Sequence, residues 1–513
     1  MTTHGMNPEA RIPAEILSEI FHLLCDEPIA LEQLENSSCF HDFPWAVGQV
    51  CGRWRTAFLS HPPLWTSFSL CNPFPDPSAA YFAEMNRRSA IYLKRSGQLP
   101  LALIIAIDTD TSILTTWKML VSCSNRWRNA GILVPSTGTI IGDALLECRG
   151  RFPILESLTI CKPGYKYTGC HDIFEIAPHL TELNLELFDG WLGTWIRFPW
   201  SQLTKLGLTM SYVSRGFTTG TCGSELRALL LQLQNVEDLQ LAIPNLDTPL
   251  PDFKFPPVRL TRLRSLRITV VLASIVFSWF ELPFLQHIWL DSQYLMFIVD
   301  ISEELDACRE EITSLIDRSS CRIRQLTLEW CSDKIAHTIM ETLPSVEELY
   351  IKNLGIDSCI VRDISDRIYL PKMRVLQVNC CPGRFGGLVA DLSHLLKMRS
   401  KESTGLSTLE RLTIRVDWGN CDEPCCVAFP ESRTLDSALQ AMSSWPSFSV
   451  TKVHSDQSNK RSVTLNAHAL AGGTLVDLTF YYPNLDPDFT AEICRYYSVL
   501  EQMCCYNTER SDS

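Results

Sequence analysis

The stretch Ile323-Arg324-Gln325-Leu326-Thr327-Leu328, followed by Val346-Glu347-Glu348-Leu349-Tyr350-Ile351, decides how this chain reads. Each piece is apolar at its first, fourth and sixth places. The fourth and sixth are separated by one residue, which is strand periodicity, so both point to one face. Working outward, the same pattern occurs at Leu155-Leu158-Ile160, Leu180-Leu183-Leu185, Leu203-Leu206-Leu208, Val236-Leu239-Leu241, Leu263-Leu266-Ile268 and Leu285-Ile288-Leu290. It continues at Met373-Leu376-Val378 and Leu409-Leu412-Ile414, with a detached copy at Leu475-Leu478-Phe480. From Leu155 to Leu409 the nine intervals average about 28 residues, the period of a repeat built from one strand and its return. One such unit cannot cover its own apolar face, whereas a stack can.

Helical returns are expected at Glu225 to Leu233, Ser302 to Arg318, Asp333 to Thr342 and Leu388 to Arg399. Leu99 to Ile107 and Arg128 to Val134 read as strands that start the array. The pattern resembles leucine-rich repeats, closely in the strand and less so after it. That family's Asn or Cys, three residues past the last strand leucine, is met by Cys331 and Cys381, while Phe188, Ser211, Pro244 and Val271 stand at four of the other places. The resemblance implies an irregular α/β solenoid with a parallel concave sheet. An α/β domain with several ordinary strands is the competing reading.

The N-terminal region carries a different pattern. Pro13 suits the first turn of a helix, and Glu15 favours its positive end. Ile16, Leu17, Ile20, Phe21 and Leu24 recur at helical spacing, and Val47, Val50, Cys51, Trp54 and Phe58 form a second stripe. Leu64 and Trp65 follow a Pro-Pro turn. About 60 residues of short helix have too little interior for so many large side chains, so some of this surface should meet a partner or the rest of the chain.

Ile12-Pro13-Ala14-Glu15-Ile16-Leu17, then Val50-Cys51-Gly52-Arg53-Trp54-Arg55, then Pro63-Leu64-Trp65 resemble an F-box, the module that docks a protein onto a cullin-type ubiquitin ligase. The resemblance implies an adaptor contact through Ile12, Pro13, Ile16, Leu17, Ile20, Phe21, Val50, Trp54, Leu64 and Trp65. Two departures are visible: Ile-Pro replaces the usual opening Leu-Pro, and the interval from Asp26 to Pro44 is long. The implied protein is a non-catalytic substrate receptor of an SCF-type ligase, bound through its adaptor to cullin and holding an unidentified protein target. A protein-interaction scaffold acting outside ubiquitin transfer is the alternative.

Composition narrows the rest. The 513 residues are 46% hydrophobic and 20% charged, ordinary for a folded protein. Net charge is −13, from 45 basic against 58 acidic residues, which argues against a sequence-blind grip on nucleic acid. Met1 to Ala10 is short and polar rather than a signal peptide. The longest apolar run, Ile268 to Phe280, is well short of the roughly 20 residues a spanning helix needs. The 21 cysteines, scattered through apolar segments, fit reduced thiols and a cytoplasmic or nuclear setting, with no membrane partner.

Alternation along each strand also defines an outward surface. Its candidate target-binding residues are Glu182, Glu186, Arg267, Trp289, Glu329, Tyr350, Lys352, Arg411 and Arg415, with Trp289 and Tyr350 as the best anchors. No catalytic constellation, metal site or cofactor is expected. Cys421, Cys425 and Cys426 lack a second pair at zinc spacing. Gly383 to Gly387 lacks the Lys and Ser/Thr of a phosphate loop, and Asp108-Thr109-Asp110 reads as a turn cap. The expected divisions are a disordered 1–10, a helical 11–70, a helical linker 71–98, repeats over 99–416, an irregular insertion with a helix over 417–473, a terminal repeat with a capping helix over 474–503, and a disordered 504–513.

Overall fold

The computed structural model describes residues 12–23, 29–30, 47–71, 79–106, 114–133, 145–161, 172–188, 197–211, 227–242, 256–269, 275–292, 302–354, 359–366, 369–380, 382–399, 406–407, 409–417, 448–456, 462–471 and 474–481. It is a mixed α/β protein dominated by parallel sheet, and it divides into two compact units, Met1–Val258 and Arg259–Ser513.

In the first unit, parallel strands follow in chain order: Ile29–Ala30, Ser67–Cys71, Leu101–Ala106, Trp127–Leu133, Ser157–Cys161, Glu182–Phe188, Lys205–Ser211 and Asp238–Ala242. In the second, Ser265–Thr269, His287–Asp291, Gln325–Glu329, Glu348–Leu354, Val375–Cys380, Arg411–Asp417 and Thr474–Tyr481 do the same. The register explains the pattern in the sequence. Leu158, Leu183, Leu206 and Leu239 stand side by side across four strands, as do Ile160, Leu185, Leu208 and Leu241. The second unit repeats this with Leu266, Ile288, Leu326, Leu349, Leu376 and Leu412, and with Ile268, Leu290, Leu328, Ile351, Val378 and Ile414. All of these are buried, as are the first-position residues from Leu155 to Leu409. A one-residue slip would turn every such ladder to the other face, so the apolar pattern itself holds the register.

A backbone device recurs at the strand starts. Two successive N–H groups donate to one carbonyl of the preceding repeat: Thr181 and Glu182 to Glu156, Thr204 and Lys205 to Thr181, Arg324 and Gln325 to Gln286, Glu347 and Glu348 to Arg324. Each repeat is thereby hooked to its neighbour before the ladder begins. Buried arginines close loose ends inside single units. Arg399, 2% exposed, donates to the carbonyls of Met373, Tyr369, Leu370 and Ser407, and burial pulls its pKa down to about 10. Four carbonyl dipoles replace the water it has lost.

The structure redraws several boundaries. Ser67–Cys71 pairs with Leu101–Ala106, so sheet begins before residue 99. The helix Ala79–Arg95 is therefore the crossover between two parallel strands rather than a linker. Within 417–473 lie two strands, Phe448–Asp456 and Ser462–Ala471, which pair antiparallel and continue antiparallel onto Thr474–Tyr481. The detached copy is also out of frame. Val476 faces Leu412 and Leu478 faces Ile414, so Leu475 stands opposite Arg411 instead of opening a repeat. A two-residue displacement keeps the alternation of the last strand in step with its neighbour. Gly383 to Gly387 belong to the helix Pro382–Arg399. Of the return expected at Glu225 to Leu233, residues 227–230 are helical among the described residues, and Ser302–Ser319 and Asp333–Thr342 are full helices. The helix expected at Leu435 to Trp445, the capping helix after 481, both chain ends, the Asp108 turn and the Cys421 cluster lie outside the described residues.

Candidate functional site

Two surfaces hold the residues singled out in the sequence, one in each unit. The first is built by the helices Ala14–Leu23, Val47–Val50 and Gly52–Leu59 and the 3-10 turn Pro62–Trp65. Cys51 starts the Gly52–Leu59 helix, its sulfur accepting from the Trp54 N–H at 3.5 Å. Arg53 donates to the Ile12 carbonyl and Arg55 to Gly48, tying the helices together at their polar edges. Inside, Phe21 meets Trp54 at 5.4 Å between ring centroids, and Phe58 meets Trp65 at 5.0 Å. Trp65 continues to Tyr92 of the crossover helix at 4.9 Å, with the Arg95 guanidinium 4.4 Å from its ring centroid.

This packing sorts the ten candidate adaptor residues into two sets. Leu17, Phe21, Leu64 and Trp65 are core, each at most 2% exposed. Ile16 (51%), Ile20 (39%) and Val50 (52%) are uncovered, and Pro13 is exposed beside them. Ile12 and Trp54 are half-buried. The helical stripe read from spacing is thus split: consecutive residues such as Ile16 and Leu17 face opposite environments. Leu59, 37% exposed, is a further uncovered aliphatic that spacing did not single out. Leu24 lies outside the described residues, as does most of the interval from Asp26 to Pro44. The part of it that is described, Ile29–Ala30, forms a short strand beside Phe68 and Ser69.

The second surface is the polar face of the Arg259–Ser513 sheet. Trp289 is not a free anchor there. The Arg267 guanidinium lies 3.8 Å from its ring centroid and the Lys352 ammonium 3.6 Å, while its indole N–H donates to Glu329 at 2.9 Å. Arg267 also bonds Asp291 and Glu329, each at 3.1 Å. Strand register sets this up, since Arg267 stands opposite Trp289, and Asp291, Glu329 and Lys352 occupy one row across three strands. Burial, and the charges of Arg267 and Arg415, pull the Lys352 pKa down against the opposing pull of Glu329. Alongside, His287 meets Thr327 Oγ1 at 2.9 Å and Ser265 at 3.3 Å. Burial first, then Lys352, lowers its pKa to about 4, so the ring is neutral. Tyr350 donates to Glu348 at 2.9 Å, and burial with that bond pushes the phenol up to about 12.

Of the remaining candidates, Arg411 and Arg415 are exposed on Arg411–Asp417, which Val375–Cys380 separates from the strand of Tyr350. Glu182 and Glu186 are half-buried in the Met1–Val258 unit, where Glu182 approaches Lys205 at 3.9 Å. Three residues past Leu328, the Cys331 thiol sits 3.5 Å from the Glu329 carbonyl and 3.9 Å from that of Leu290, and burial pushes it up to about 12. Among the described residues no helix is long and apolar enough to cross a membrane. In comparison with known proteins, no family model and no curated sequence matches this chain.

Proposed function

We propose that this chain is the substrate-recognition subunit of an SCF-type cullin-RING ubiquitin ligase. In this reading the N-terminal helices are an F-box that grips the adaptor, and the repeats form an irregular solenoid whose concave sheet face holds a target protein. The observation that carries it is the uncovered aliphatic set Ile16, Ile20 and Val50, on helices whose larger neighbours Leu17, Phe21, Phe58 and Trp65 already form the core. A helical cap that served only its own fold would have no use for that second face. Covering each such side chain is worth roughly 1.5–3 kcal/mol, so a few of them sustain a stable complex. The chain itself performs no covalent chemistry; it contributes by holding a target near the loaded conjugating enzyme.

The test is co-expression of the full chain with the adaptor, wild type against Ile16→Asp plus Val50→Asp. Wild type co-purifies and the double variant does not, while both give the same melting curve. Failure of the wild type to co-purify removes the docking proposal, and unimpaired binding by the double variant removes the named contacts. Pull-down from cells probed for cullin separates ubiquitin transfer from a scaffold role: adaptor without cullin points to the scaffold.

A further inference from the structure

In the Arg259–Ser513 unit, two successive return helices bring their polar residues to one point outside both surfaces. Asp333 and His337 lie one turn apart on Asp333–Thr342, a spacing that puts them on the same helix face. Cys359, next to the start of Ile360–Asp366, and Asp363 have the same spacing on the second helix. The Cys359 sulfur stands 2.9 Å from Asp333 Oδ2 and 3.3 Å from Asp363 Oδ2, and donor atoms of the three residues all lie within 4.8 Å of one another. His337 Nε2 is 2.8 Å from Asp363 Oδ2.

Hydrogen bonding accounts for this cluster only in part. The Cys359 N–H donates to Asp333 at 2.7 Å, as a residue at a helix start does. A thiol has one proton, yet this sulfur faces two carboxylate oxygens. His337 Nε2 is shut off from solvent and pairs with the second of these carboxylates. A thiol and two carboxylates converging on one point is an arrangement that also suits ligands round a cation. Donors bonded at about 2.0–2.3 Å to one tetrahedral ion stand roughly 3.3–3.7 Å apart; the Cys359–Asp363 separation of 3.3 Å matches this, and the Cys359–Asp333 separation of 2.9 Å is shorter.

We propose that Asp333, Cys359 and Asp363 hold one divalent cation of the zinc class, with His337 orienting Asp363 from behind. A mixed thiolate and carboxylate set selects zinc over magnesium or calcium, which prefer oxygen alone. Without the ion, the hydrogen bond to Asp333 above all, then burial and Asp363, push the Cys359 thiol up to about 12 and keep it protonated. Binding expels that proton to solvent and replaces it with the metal. Cys359 is exposed, which gives the ion its way in, and the bound ion pins one return helix to the next. The site has no part in the docking proposal, and stands or falls independently of it.

The experiment uses the full chain, purified under reducing conditions, loaded with zinc, dialysed and assayed for metal by mass spectrometry. Cys359→Ser, Asp363→Asn and His337→Gln are run beside it, with circular dichroism to check folding. The wild type retains one ion more per chain than each variant, and added zinc raises its Tm by several degrees while leaving theirs unmoved. Cobalt loading gives a thiolate charge-transfer band that Cys359→Ser abolishes. A wild type that retains no metal overturns the proposal. So do variants that retain as much as wild type, because the metal then belongs to other cysteines of the chain. Should one variant misfold, the other two decide.

Discussion

The N-terminal helices and the sheet face around Trp289 are both rich in large side chains, and they treat them in opposite ways. On the helices, Ile16, Ile20 and Val50 are left uncovered although a packed core lies directly beneath. On the sheet, the largest aromatic is already covered by Arg267 and Lys352, and its N–H is already bonded to Glu329. Uncovered aliphatics gain free energy when a partner removes them from water. A clamped indole gains little, because contact with a partner would first have to displace cations and carboxylates that satisfy one another. Under the proposed docking role, the first region supplies affinity toward an apolar surface. The second presents a fixed pattern of charge, of the kind that orients a partner and excludes wrong ones.

The sharpest way to break this comparison is within the N-terminal helical region. Trp65→Ala, at a site 0% exposed, should cost about 3–5 kcal/mol in urea unfolding, whereas Ile16→Ala should stay within about 0.5 kcal/mol. Equal losses would mean that Ile16 is part of the core. Next in size, Leu326→Ala interrupts a buried ladder and should cost about 2–5 kcal/mol. On the polar face, Glu329→Gln removes the charged acceptor shared by Arg267 and Trp289, and about 1–3 kcal/mol is expected, more than for an ordinary surface residue. A silent Glu329→Gln would show that the Trp289 clamp is ornamental.

A pH measurement examines the same face. His287 has a folded pKa near 4 against 6.5 in the unfolded chain, so the unfolded state binds the extra proton between those values. Its contribution to stability is therefore whole above about pH 6.5 and is lost as pH falls toward 4. His287→Gln should flatten that part of the stability–pH curve, and an unchanged slope would place the titrating groups elsewhere. The smallest effect is expected for Arg128→Ala, which removes an exposed pair with Glu156 at 2.8 Å and should cost under about 1 kcal/mol.

Much of the sheet was legible before the structure. Leu326 and Leu349, read as equivalent because of their place in a six-residue pattern, are register partners, and so are Leu328 and Ile351. The Asp333–Thr342 helix has the bounds its periodicity indicated. What misled was the final copy, where Leu475-Leu478-Phe480 matches the pattern but is displaced by two residues, since the hairpin Phe448–Asp456 and Ser462–Ala471 sets the approach of the last strand. The candidate site was legible only as a set of residues. Spacing named Ile16 and Leu17 together and could not say that one is buried and the other exposed. The Asp333–His337 and Cys359–Asp363 pairs were not singled out in the sequence, and nothing in the chain order placed the two together.

The amino-acid sequence determined the alternation of buried and outward residues, and with it the strand ladders, because a period of two is a property of the extended backbone and one slip would expose a whole row. It also determined that the N-terminal helices carry more apolar surface than they can enclose. Only the tertiary structure decided which helical residues stay uncovered, that Trp289 is clamped between cations from strands on either side, and that two acids, a thiol and an imidazole converge. Those outcomes rest on distances between residues far apart along the chain, and such distances exist only once the strands have stacked.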